Sequence, residues 1–228
     1  MLMKKILLVI SLLCSLTAMG QVDSLRREVM LETTMGNIRI ALYNETPLHR
    51  DNFLRQVIAG YYDGNLFHRV IRNFMIQTGD SASRHPEPGV VYGNTTETYT
   101  VPAEIHFPQL FHKRGAIAAA READANNPER ASSSSQFYIV WGTRCTDSQL
   151  DRYQEMLDKN TGGTVKLTPE LREYYYRYGG TPYLDGQYTV FGEVVEGLDV
   201  VDKIQSVKTT EDDRPWDDIR IIKAEIVK

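Results

Sequence analysis

Short runs of β-branched and aromatic residues, each soon ended by glycine, proline, asparagine or aspartate, recur along most of this chain and restrict it to a fold of short strands. Residues 29–32 and 38–42 flank Thr33-Thr34-Met35-Gly36-Asn37, which predicts a hairpin with Gly36 and Asn37 free to take positive φ. Residues 66–71 and 74–78 flank Arg72-Asn73 and predict a second hairpin, ended by Gly79-Asp80. Further strands are expected at 115–120, 136–140, 188–194 and 219–227. Between the hairpins, Thr46 as N-cap and Pro47 at the first helical position open a helix whose Leu48, Phe53, Leu54, Val57 and Ile58 share a face before Gly60. A short helix fits 198–204, and 81–104, rich in Pro, Gly, Ser and Thr, predicts a long surface loop. Seven or eight strands, two or three helices and no βαβ alternation point to a mainly β antiparallel barrel or sandwich.

One segment differs in texture. Within 143–180, Leu150, Tyr153, Met156 and Leu157 have helical spacing, and Thr168-Pro169-Glu170 opens a second helical run carrying Tyr174, Tyr175, Tyr176 and Tyr178. This predicts a helical hairpin inserted into a single β domain over 21–228, a size consistent with 228 residues. The insertion can extend substrate recognition, bind a partner, or merely pack on itself.

The first twenty residues predict a secretory signal peptide: Lys4 and Lys5, an apolar run over 6–16, then Ala18-Met19-Gly20 before Gln21. The apolar run is well short of the ~20 residues that cross a bilayer. The expected mature chain starts near Gln21, is exported, lies in the periplasm and has no membrane span. It keeps a single cysteine, Cys145, which excludes an intramolecular disulfide even in an oxidising compartment. The formal charge of −4, or about −6 without the leader, and the scattered Lys and Arg exclude a nucleic-acid binder. Ser132-Ser133-Ser134-Ser135 lacks the Gly-x-Ser-x-Gly elbow of a serine hydrolase. His49, His68, His85, His106 and His112 show no metal-ligand spacing.

The densest chemistry lies in Phe67-His68-Arg69-Val70-Ile71-Arg72-Asn73-Phe74-Met75-Ile76-Gln77-Thr78-Gly79-Asp80. Alternation puts Phe67, Arg69 and Ile71 on one face, and Met75 and Gln77 opposite Phe74, Ile76 and Thr78. By periodicity alone this is an amphipathic hairpin whose Arg and Gln face water. Further blocks follow in order: Pro102-Ala103-Glu104, residues 115–120, Ser135-Gln136-Phe137-Tyr138-Ile139, Leu184-Asp185-Gly186, Val190-Phe191-Gly192 and Asp213-Arg214-Pro215. Together they resemble the signature of the cyclophilin-type peptidyl-prolyl cis-trans isomerases, over roughly 28–228 apart from the insertion, as in a bacterial, exported member.

The resemblance implies a closed eight-stranded antiparallel barrel capped by two helices, with a substrate groove on its outer face. It implies a catalytic Arg69 and a Gln77 that contacts the substrate backbone. Phe74, Met75, Tyr138 and Leu184 would wall a proline pocket, Ala120 and Arg121 would present backbone groups, and His68 and Gln136 would complete the floor. Tyr183 and Tyr188 stand beside the groove where many members have tryptophan and histidine, and Tyr138 where phenylalanine is common. Tyrosine keeps an aromatic wall, but Tyr183 puts tight binding of cyclosporin-type inhibitors in doubt. The implied partners are proline-containing segments of exported proteins, and the implied chemistry uses no metal or cofactor. A chaperone or assembly module that holds such segments without turnover is the alternative on the same fold.

Overall fold

The computed structural model describes residues 25–87, 89–94 and 98–228, so the predicted signal peptide lies outside the described residues. The first hairpin forms as β1 (Glu28–Thr33) and β2 (Gly36–Leu42). Gly36 takes a positive φ of 127°, whereas Asn37 sits within the strand. The first helix, α1 (Pro47–Ile58), starts where expected, but the Thr46 side chain makes no cap bond. Glu104 caps it instead, its two carboxylate oxygens accepting from the amides of Leu48 and His49 at 3.0 and 2.9 Å. The buried face of α1 is His49, Asn52, Phe53 and Val57, while Leu48 and Ile58 are exposed.

The second hairpin is β3 (Arg69–Ile71) and β4 (Met75–Thr78), with Asn73 in the left-handed region at φ 61°. Among its described residues the expected long loop 81–104 contains only a 3₁₀ turn at Ser81–Arg84 and the two-residue β5 (Thr100–Val101). β5 pairs with β7 (Ser132–Ser133), a small ribbon that the sequence did not signal. The main sheet is completed by β6 (Ala116–Ala119), β8 (Phe137–Val140), β9 (Val190–Glu196) and β10 (Ile221–Ile226).

The eight-stranded antiparallel sheet runs β10-β1-β2-β9-β6-β8-β4-β3 and is an open half-barrel. This corrects the closed barrel: the end strands are joined only ahead of their ladders, by the bridge Leu66↔Arg220. The reason lies at the edge of β3. β3 is three residues long, one edge pairs with β4, and on the other the Val70 amide donates to the carbonyl of Asp213, in the loop before β10, at 2.8 Å.

Four helices accompany the sheet among the described residues. Besides α1 they are α2 (Asp147–Thr161), α3 (Pro169–Tyr178) and α4 (Leu198–Gln205). α1 and α4 close the main core, inserting Phe53, Val57, Val200, Val201 and Ile204 among Leu31, Ile40, Ile117, Ile139 and Phe191. α2 and α3 both fall in the segment read as an insertion. A capping box of Thr146 and Gln149 opens α2, and the Thr168 hydroxyl accepts from Leu171 N to open α3. With the loop between them they share a separate core of Cys145, Leu150, Leu157, Val165, Leu167 and Tyr175. Met156 is exposed instead of facing that core. No described helix is long and apolar enough to cross a membrane.

Candidate active site

The central strands are buried on both faces, which creates the site. Along β8, Phe137 and Ile139 enter the main core while Tyr138 and Val140 point to the opposite side. Along β6, Ile117 and Ala119 face the main core, and Ala116 and Ala118 join the second cluster. Ile71, Phe74, Met75, Leu184 and Tyr188 pack on that outer face. Among these side chains lies a hollow of about 180 Å³, lined by Arg69, Phe74, Met75, Gln77, Ala120, Arg121, Tyr138, Leu184 and Tyr188. That is room for a small ring, not a single water.

Nine of the twelve predicted site residues therefore line one cavity. The register explains the polar edge: Arg69 pairs with Gln77 and Ile71 with Met75, so these side chains share a face, while Val70 and Ile76 enter the main core. Phe67 departs from the expected alternation because it precedes β3 and turns into the main core. Phe74 can join Met75 at the pocket because it lies in the turn before β4.

The three others stand just behind or beside the lining. Gln136 accepts from Gln77 Nε2 at 3.2 Å and donates to the Gly93 carbonyl at 3.1 Å. Gln77 Oε1 in turn accepts from Arg69 Nη1 at 3.4 Å, so both ends of the Gln77 amide are held. His68 is buried beneath Gly93, whose amide donates to Asp80 Oδ2 at 2.6 Å. Burial, assisted by the Arg69 cation and opposed by the Asp80 carboxylate, pushes His68 down to about 4, so it is a neutral floor residue. Tyr183 leans on Phe74 with ring centroids 5.9 Å apart, and burial pushes its hydroxyl up to about 12.

Two predicted roles are narrowed by the hydrogen bonds. Ala120 N donates to Gln136 O and its carbonyl accepts from Ser133 N, so Ala120 has only a carbonyl lone pair to offer a ligand. Arg121 contributes its side chain as well as its backbone: the guanidinium lies 4.4 Å from the Tyr188 ring centroid and is anchored by the Gln187 carbonyl and Asp124.

Sequence reasoning missed three residues. Asp213, of the Asp213-Arg214-Pro215 block, places Oδ2 3.5 Å from Arg69 Nε and so orients the guanidinium. His112 lies under the pocket, its ring stacked on Tyr138 and its Nε2 3.0 Å from the Tyr138 hydroxyl. Asp185 Oδ1 holds His112 through both the backbone amide, at 2.8 Å, and Nδ1, at 3.0 Å. A signal for His112 and Asp185 was present, though none for Asp213: a buried tyrosine hydroxyl at 138 requires a hydrogen-bond partner that a phenylalanine would not.

The fold and site thus define a class, an antiparallel β protein with an external apolar pocket edged by Arg69, Gln77 and Arg121. Residues 28–226 match the model of the cyclophilin type peptidyl-prolyl cis-trans isomerase/CLD family. Peptidyl-prolyl cis-trans isomerase-like 1 of Aspergillus fumigatus is 31% identical over 202 residues, covering 88% of this chain and 96% of that protein. A putative peptidyl-prolyl cis-trans isomerase of Staphylococcus saprophyticus is 32% identical over 204 residues, covering 88% of this chain and 92% of that one. Peptidyl-prolyl cis-trans isomerase CYP71 of Arabidopsis thaliana is 34% identical over 206 residues, 90% of this chain but a quarter (25%) of that protein. Among solved structures, a Cryptosporidium parvum cyclophilin type isomerase shares the fold, with a TM-score of 0.61 at 22% identity, covering 89% of this chain and 98% of that one. The chain belongs to the cyclophilin-type peptidyl-prolyl cis-trans isomerases, and it is an enzyme of that family.

Proposed function

We propose that this isomerase accelerates X–Pro rotation in exported proteins, with Arg69 stabilising the twisted amide over an apolar proline pocket. The barrier of ~18–20 kcal/mol reflects lost amide resonance, while the two planar forms differ by only ~0.5–1 kcal/mol. In the twisted state the prolyl nitrogen becomes pyramidal and gains a lone pair. A guanidinium held beside it donates a hydrogen bond that the planar amide cannot accept, which is differential binding of the transition state. Phe74, Met75, Tyr138 and Leu184 grip the ring, and Gln77 holds the neighbouring backbone while one side of the bond turns against the other. The observation that carries this reading is that Arg69, anchored by Gln77 and Asp213, stands at the edge of a cavity that these apolar side chains wall.

Export and a periplasmic location are supported by Lys4, Lys5, the apolar run over 6–16 and Ala18-Met19-Gly20. The intact mass of the exported protein checks cleavage after Gly20.

The decisive test is cis/trans exchange of an Ala-Pro-Phe peptide by NMR, with wild type and folded Arg69→Ala. The expected result is acceleration by wild type and a loss of about 10²-fold or more in kcat/KM for the variant. Equal acceleration by both removes Arg69 from the chemistry. Peptide binding without acceleration, or refolding of a proline-limited client aided only at stoichiometric amounts, makes the chain a holding chaperone instead.

A further inference from the structure

The inserted helices reach the pocket from two sides. From α3, the Tyr175 hydroxyl donates to Asp185 Oδ2 at 2.7 Å. Asp185 Oδ1 accepts from His112 Nδ1, and His112 Nε2 meets the Tyr138 hydroxyl at 3.0 Å. Tyr175 and Asp185 are 0% exposed, His112 1% and Tyr138 5%, so water competes for none of these bonds. A carboxylate only accepts, so Nδ1 carries the proton facing Asp185, and Nε2 is the ring nitrogen left to pair with the Tyr138 hydroxyl. That directs the Tyr138 hydroxyl away from the cavity and leaves its ring as the wall. From α2, the Tyr153 ring lies 5.1 Å from Tyr183, which lies 5.9 Å from Phe74.

The junction is built for this approach. A Cβ on Gly180, at φ +140°, would stand 2.4 Å from the His112 carbonyl oxygen and 2.7 Å from Tyr175 Cε1. Thr181 N donates to that same His112 carbonyl at 3.0 Å, so the chain leaving α3 is stitched directly to the strut under Tyr138.

We infer that α2 and α3 are positioning elements of the proline pocket: α3 fixes the Tyr138 wall through Tyr175, Asp185 and His112, and α2 fixes Tyr183 against Phe74 through Tyr153. The inference rests on the isomerase reading and gives the insertion its part in it. Contacts with the proline ring are alike in the planar and twisted states, so a loosened wall raises KM and leaves kcat in place. A merely structural role has the opposite signature, because losing folded molecules lowers apparent kcat at constant KM.

The test measures kcat and KM separately, by NMR exchange over a series of Ala-Pro-Phe concentrations, for the full chain. Tyr175→Phe keeps the ring and removes one hydroxyl; KM is expected to rise three- to tenfold with kcat within twofold. In a Tyr138→Phe background the strut has no far end, so adding Tyr175→Phe is expected to change KM no further. Tyr153→Ala is expected to raise KM and Tyr153→Phe to restore it; this half-buried site carries the test if Tyr175→Phe fails to fold. Unchanged KM in both Tyr175→Phe and Tyr153→Ala, with an active wild type, overturns the inference and leaves the isomerase standing. A wild type that accelerates nothing overturns the isomerase reading and this inference with it.

Discussion

At the residue scale, orientation and protonation decide the site. Arg69 is 44% exposed and Asp213 38%, so their contact adds little stability, but it aims the guanidinium. Asp213→Asn is expected to lower kcat/KM roughly two- to fivefold, the worth of an exposed pair, with the unfolding midpoint nearly unchanged; steady-state exchange and urea titration check the two halves. His68 makes a second prediction. Its value falls from 6.5 to about 4 on folding, chiefly through burial. As pH falls, the unfolded chain takes up this proton first. The stabilisation is therefore intact above about pH 6.5 and is lost between 6.5 and 4, by up to roughly 3 kcal/mol. Urea midpoints at pH 7 and 4.5 should fall more steeply for wild type than for His68→Gln, and equal slopes would refute a buried neutral His68.

At the scale of elements, tertiary contacts complete what local sequence begins. Glu104 takes two amides at the start of α1 and the His49 Nδ1 at 2.7 Å, although it lies more than fifty positions away in the chain. Glu104→Ala is expected to cost about 2 kcal/mol, the upper range for a lost cap, measured by urea denaturation. Gly180 is the corresponding point for the insertion. A methyl group there meets the His112 carbonyl and the Tyr175 ring at a φ that side chains rarely adopt. Gly180→Ala is therefore expected to destabilise by about 3 kcal/mol or more, with a drop in melting temperature as the readout.

For the whole molecule, one aromatic group ties α1 to the sheet. Phe53 packs edge-on to Phe137 at 5.2 Å and lies 4.9 Å from Tyr62 and 5.6 Å from Phe191. Phe53→Ala is expected to cost about 3–5 kcal/mol and to lower stability of the sheet and α1 together; a calorimetric scan should show one earlier transition, and two separated transitions would refute that coupling. The sheet also has a second buried face, and this makes a walled cavity from what would otherwise be solvent-facing strand positions. Tyr138 and Val140 are as enclosed as Phe137 and Ile139, because the 3₁₀ turn at Pro182–Leu184 and the aromatic side chains above cover them.

The amino-acid sequence by itself determined the strand hairpins, the start of α1 and the two helices within 143–180, because period and turn chemistry are local properties, while the ordered motif blocks pointed to the residues that meet at the pocket through their family resemblance. Nine of the residues so implied, from β3, the turn before β4, β4, the segment just after β6, β8 and the stretch before β9, line one cavity. It did not determine the half-barrel's open edge, which depends on Asp213 meeting Val70 across the fold. Nor did it reveal Glu104 as the cap of α1, or the strut from Tyr175 to Tyr138. Those depend on which distant residues are brought within hydrogen-bond distance in a water-free interior, where an unpaired polar group is costly and partners must be found across the fold. Local pattern placed the side chains on their elements, and packing decided which of them meet around the cavity.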